Sequence, residues 1–215
     1  MLSYKIHLLR TGSTQDTPDR RYAGQCDLPL CARGREALAQ LSQTHCYPPV
    51  ERVYSSPLLR CVQSAQLLYP ARTIQTVDGL MDMNLGSFEG KSFEQLKEDE
   101  AFIRWLDHSL DHPPPGGETA QDFTQRILSA FDEVVREMMR ERTTSAAVIT
   151  HGGVIMSLMA AIALPKLPIH KWAVANGCGY TLLTNTQLWM QGGCAEAFAY
   201  LPGEDRGQKT AARPE

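Results

Sequence analysis

"SAAVITHGGVIMSLMAAIAL", residues 145–164, holds the fold in miniature. Its first six residues are small, apolar or β-branched, the glycines at 152 and 153 stop the run, and an apolar stretch suited to a helix follows. A buried strand that ends at a glycine turn and opens a helix is the unit from which α/β domains are built. "HLLRTGST", residues 7–14, ends the short apolar run from Lys5 to Leu9 at a similar turn. "RVYSSP" at 52–57, followed by "LLRCVQSAQLLY" at 58–69, gives strand and helix again.

The connecting segments agree with that alternation. "GREALAQLSQTH", residues 34–45, sets Ala37, Leu38 and Leu41 on one helical face, and "RTIQTV", residues 72–77, is a short β-rich run. Residues 91–110 and 119–142 read as two long amphipathic helices, kept apart by the prolines and glycines of "DHPPPGGE". "CGYTLLTN" and "CAEAFAYLP" read as two final strands joined by a turn. Residues 18–33 form a long loop, a length that in a compact domain often carries function. The expected fold is α/β, a three-layer α/β/α sandwich with a mainly parallel central sheet. It occupies one domain over residues 1–203, with a frayed polar tail over 204–215.

Composition narrows the partners. A chain of 215 residues can bury one adequate core. Its formal charge of −3, with the basic residues scattered, offers no footprint for nucleic acid or an anionic membrane. Lys5, His7 and Arg10 interrupt the N-terminal apolar run, which is too short for a signal peptide or a membrane span, so a cytoplasmic location is expected. The six cysteines show neither a C-x-x-C pair nor metal-type spacing with histidine and read as free thiols. "DHSLDH", with His108, Asp111 and His112, sits beside a proline run with no matching ligands elsewhere and reads as a solvated loop. His7 reads as a packed histidine of the first strand.

In a sheet of this kind ligands collect beyond the carboxyl ends of the strands. Arg10 brings a planar fork of donors to one such end, and Gly12 lets the backbone turn closely there. Arg60 falls in the first turn of a helix. His151, the Gly152 amide and the helix that follows converge on the same region, where backbone N–H groups favour anions. Each signal alone is ordinary: strand-end arginines usually form salt bridges, and an "HGG" is usually a turn.

Their order carries more. "LLRTGST", "RYAGQCDLPLCARG", "YSSPLLRC", "LMDMNLGSFEG", "PPGGET" and "VITHGGVI" together resemble the histidine phosphatase superfamily, which includes cofactor-dependent phosphoglycerate mutases and α-ribazole phosphatases. The resemblance implies a phosphate pocket of Arg10, Arg60, His151 and Gly152. It also implies a nucleophilic histidine after Arg10 and a general acid from "LMDMNLG". In such proteins the histidine takes the phosphoryl group and the acid protonates the leaving oxygen. Thr17, Arg21 and Gly24, with Tyr22, would lie on the substrate side. No metal or cofactor is implied, because arginines supply the positive charge.

Two positions depart from that pattern. Thr11 stands at the nucleophile position, and Asp82 stands where α-ribazole phosphatases and their relatives have glutamate. A threonine hydroxyl needs a base, and His151 is the only nearby candidate. Aspartate keeps the acid but withdraws it by one methylene. The sequence therefore leaves two readings: a strongly impaired phosphatase of small phosphorylated metabolites, with Thr11, Asp82 and His151 in the catalytic positions, or a non-catalytic phosphate-ligand-binding protein.

Overall fold

The computed structural model describes residues 2–15, 21–107 and 112–203. Seven strands form one sheet: β1 (Ser3–Arg10), β2 (Arg52–Ser55), β3 (Ile74–Thr76), β4 (Ser145–Thr150), β5 (Ala163–Leu164), β6 (Gly179–Asn185) and β7 (Ala195–Leu201). Their order is β3-β2-β4-β1-β6-β7-β5. Neighbours run parallel except where β6 pairs antiparallel with both β1 and β7, so the sheet is mainly parallel.

Helices cover both faces. These are α1 (Ala32–Thr44), α2 (Leu59–Leu68), α3 (Phe93–Leu96), α4 (Glu100–Asp107), α5 (Ala120–Glu141), α6 (Gly152–Ile162) and α7 (Thr186–Gly192). The two-residue period of the central strands divides the core between the layers. Ile6, Leu8, Ala146 and Val148 pack with Phe123, Ile127, Phe131 and Val135 of α5 and with Val154, Ile155 and Leu158 of α6. Leu9, Ala147 and Ile149 point the other way, onto Cys61 and Ala65 of α2. Because helices cover both faces, β4 is buried from Ala146 to Thr150, which is why its sequence reads as a continuous apolar run. His7 is buried as expected, bonded through Nδ1 to the Thr181 hydroxyl at 2.9 Å. Burial holds it neutral by lowering its pKa to about 4.

The structure differs from the sequence reading in three places. The helix expected over 91–110 is two short helices, because the Asp99 side chain accepts the N–H groups of Ala101 and Phe102 at 2.8 and 3.2 Å and starts α4 afresh. The turn expected between the last two strands contains α7, capped by Asn185, whose side chain accepts Leu188 N–H at 2.9 Å, and stopped at Gly193 with φ +57°. The apolar helix ends at Ile162, and its last two expected residues form β5 instead. The C-terminal tail from 204 and the positions His108 and Asp111 lie outside the described residues. All six cysteines are free thiols. Among the described residues no helix is long and apolar enough to cross a membrane.

Register decides where the site lies. Arg10 is level with Thr150 in the parallel β1/β4 pair, and Ser55 is level with Ile149 in β2/β4. The next residues, Thr11, His151 and Ser56, therefore leave the sheet side by side. Two backbone bonds fasten that edge: Thr11 N–H donates to Thr150 C=O and Ser56 N–H to Ile149 C=O, both at 2.9 Å.

Candidate active site

A cleft of about 790 Å³ opens at this edge, lined among others by Arg10, Thr11, Arg60, Asp82, His151 and Gly152. The structure thus gathers both reacting positions and the four phosphate-binding positions expected from sequence. Arg10 is aimed by its Nη1, which donates to Val174 C=O at 2.6 Å. Gly152 lies flat against it, since a Cβ there would stand 3.2 Å from Arg10 Nε. Arg60 is almost fully buried in the first turn of α2. Its Nη1 and Nη2 donate to Cys26 C=O and Gly24 C=O at 2.6 Å each, and its Nε donates to His151 Nδ1 at 3.3 Å.

That last contact assigns the tautomer of His151. A guanidinium only donates, so Nδ1 accepts and Nε2 carries the hydrogen, directed to the Ser56 hydroxyl at 2.9 Å. Burial first, then the positive charges of Arg60, Arg126 and Arg10, hold the imidazole pKa well below its usual value. His151 is neutral near pH 7.

Asp82 hangs over the same group, with Oδ2 3.8 Å from Arg60 Nη2 and 3.7 Å from His151 Nδ1. Burial raises its pKa to about 6, outweighing the opposing pull of Arg60. A carboxylic acid poised there can hold or release a proton near neutrality. Its loop is fixed from behind by Arg126, which donates to the carbonyls of Gly79, Met81 and Asp82 at 3.0 to 3.1 Å. Arg126 is in turn paired with Glu118 through two 2.8 Å contacts.

Thr11 is turned away from this constellation. Its hydroxyl donates to Arg60 C=O at 2.8 Å and lies 3.0 Å from Ser64 Oγ, against α2. Ser64 Oγ also accepts Gly12 N–H at 3.0 Å. Among the described residues no hydrogen bond joins Thr11 to His151. Cys61 Sγ lies 3.5 Å from His151 Nε2, but burial pushes its thiol up to about 12, so it is no thiolate.

The substrate-side expectations divide. Arg21 lines the cleft, its guanidinium tied to Gly90 C=O at 2.8 Å. Gly24, at φ +48°, stands behind Arg60 and offers it a carbonyl, while Ala23 faces the cleft. Tyr22 packs edge-on against Phe102 at 5.3 Å in a separate aromatic cluster. Thr17 lies outside the described residues. Sequence reasoning missed Ser64 and Asn176, whose side-chain amide donates to Thr11 C=O at 2.8 Å. Ser64 was findable, four residues beyond Arg60 on one helical face. Asn176 carries no local signal.

Fold and site together define an α/β sandwich in which two arginines, a histidine and a carboxylate meet at the ends of its parallel strands. The chain belongs to the histidine phosphatase superfamily, branch 1, whose sequence profile matches residues 6–190. Among curated relatives, "Probable phosphoglycerate mutase GpmB" of Escherichia coli O1:K1 / APEC is 26% identical over 173 residues, covering 79% of this chain and 77% of that one. The α-ribazole phosphatase of Shigella flexneri superposes with a TM-score of 0.76 at 24% identity, over 96% of this chain and 100% of the other. Phosphoglycerate mutase of Bacillus anthracis str. Sterne gives 0.74 at 20% identity, over 91% and 92%.

Proposed function

We propose that this protein recognises small phosphate monoesters in the cradle of Arg10, Arg60, His151 and the Gly152 amide, with phosphohistidine chemistry disabled at Thr11. The observation that carries the proposal is the Thr11 hydroxyl, which donates to Arg60 C=O at 2.8 Å and so directs its hydrogen into the wall of the cleft. A threonine nucleophile would have to break that bond, turn and lose its proton to a base. His151 is poorly placed as that base, since its lone pair at Nδ1 already faces Arg60.

Recognition needs none of those steps. Arg10 offers donors at one side of the cradle and Arg60 at the other. A bound dianion raises the proton affinity of the neutral His151. Asp82, whose pKa burial raises to about 6, is the residue we assign to protonating a leaving oxygen. Losing the nucleophile in another covalent enzyme costs about a million-fold in rate, and what is left comes from binding and electrostatics.

The reading is tested by calorimetric titration with inorganic phosphate alongside p-nitrophenyl phosphate hydrolysis. Phosphate binding with hydrolysis at background is expected. Robust hydrolysis by the natural sequence, abolished in Asp82→Ala, would overturn the disabled chemistry and restore the phosphatase reading.

A further inference from the structure

Asn176 lines the cleft beside Thr11, and the phosphate-recognition reading leaves half of its side chain unused. It stands in the turn that leads into β6, and the backbone around it is tightly fastened. Gly177 N–H donates to Arg10 C=O at 2.9 Å, and Arg10 N–H donates to Cys178 C=O at 2.8 Å. Gly177 has φ +77°, and a Cβ there would stand 2.8 Å from Leu38 and from Leu41, so a side chain at that position would be both strained and crowded.

The amide of Asn176 is oriented as well. Its nitrogen donates to Thr11 C=O at 2.8 Å, and a carbonyl only accepts, so the NH2 group faces the strand end and Oδ1 faces away from it. Among the described residues Oδ1 has no hydrogen-bond partner. Gln15, the other amide lining the cleft, differs in this respect. It uses both ends of its side chain on the Arg21 backbone, donating to the C=O and accepting the N–H at 3.0 Å each.

An asparagine beside a bound anion gains by turning its NH2 group inward, as a donor. Here Thr11 C=O has taken that group, and a bare amide oxygen stands next to the reacting position. Oxygens of a phosphoryl group or an ester would meet it lone pair to lone pair, so the atom it receives from a ligand is a hydrogen-bond donor. Because Asn176 is exposed, Oδ1 is hydrated in the free protein. A ligand that displaces that water without supplying a donor forfeits the bond.

We infer that the alcohol part of the ligand carries a hydrogen-bond donor, a hydroxyl or an ammonium, a few carbons from the ester oxygen, and that Asn176 Oδ1 receives it. The inference rests on the phosphate-recognition reading and deepens it. It makes Asn176 a specificity-determining residue.

The test titrates the full chain calorimetrically with inorganic phosphate and with matched esters. These are hydroxyalkyl phosphates of increasing chain length, the same compounds with the hydroxyl methylated, and aminoalkyl phosphates with their trimethylated forms. Methylation keeps the oxygen, or the positive charge, and removes only the donated hydrogens. In the series that carries the right donor, the free form should bind about fivefold more tightly than its methylated match at the best length, the scale of one hydrogen bond. Asn176→Leu should bring that ratio to one, whereas Asn176→Asp, which still offers an acceptor, should keep it. Both variants lose the bond to Thr11 C=O, and the ratio cancels that loss because it falls on both members of a pair alike. Ratios of one throughout in the natural protein overturn the inference. So does a ratio that Asn176→Leu leaves unchanged, which would confine Asn176 to bracing Thr11. Absence of inorganic phosphate binding to the natural protein is a separate and visible failure, that of the phosphate-recognition reading itself.

Discussion

Replacing Thr11 with histidine asks whether the rest of the site is still competent. The substitution removes the bond from the Thr11 hydroxyl to Arg60 C=O, a loss of about 1 kcal/mol. That carbonyl is not orphaned, because the Ser64 hydroxyl also donates to it at 2.6 Å. An imidazole at 11 can extend into the open cleft that Thr11 lines, so no large strain accompanies the change. Folding stability should therefore fall by only about 1 kcal/mol. Activity should move far more, since nucleophile loss removes about a million-fold, or about 8 kcal/mol of barrier lowering. Asp82, one methylene shorter than glutamate, caps the recovery, and a gain of at least about a thousandfold in p-nitrophenyl phosphate hydrolysis is the expected outcome. Acid-labile, base-stable phosphate on the protein after rapid quenching identifies the phosphohistidine. A folded T11H variant that binds phosphate yet neither hydrolyses the ester nor traps phosphate would refute the claim that the nucleophile is the missing part.

Asp82 gives a pH test. The folded carboxyl keeps its proton up to about pH 6, whereas an unperturbed one releases it near 3.8, so stability without ligand falls as pH rises through that window. Asp82→Asn should abolish that fall and stabilise the protein above it by up to about 3 kcal/mol, as read by urea unfolding at several pH values. The folded imidazole of His151 resists protonation, so His151→Gln should flatten the stability lost as pH drops below about 6.5. Arg60→Ala should abolish calorimetric phosphate binding and, by stripping the donors from Gly24 C=O and Cys26 C=O, cost about 3 kcal/mol in denaturant unfolding. Arg126→Met leaves the largely buried Glu118 unpaired and should cost about 3–5 kcal/mol, much of it recovered when Glu118→Gln is added.

Periodicity and glycine placement made the layers legible in the sequence, because β1, β2 and β4 each end where a glycine or a Ser–Ser–Pro turn stops an apolar run. Arg10, Arg60 and His151 were legible for the same reason, being the polar residues at or just beyond those ends. What escaped were effects of side chains on local backbone. Asp99 restarts a helix that periodicity alone carries through, and Asn185 with Gly193 folds a helix into what reads as a turn. Gly24 was assigned to the substrate side, but its part is set by Arg60, whose side chain reaches across the loop to its carbonyl. Asn176 was invisible because its partner, Thr11 C=O, is brought near only by the antiparallel pairing of β6 with β1.

The presence of Arg60 in the cleft says less about function than its place there suggests. Arg60 would be retained by the fold alone, since its side chain satisfies two loop carbonyls and braces His151 whatever the cleft contains. Residues held by the fold in this way can outlive catalysis, so an intact Arg60 by itself argues for neither turnover nor binding.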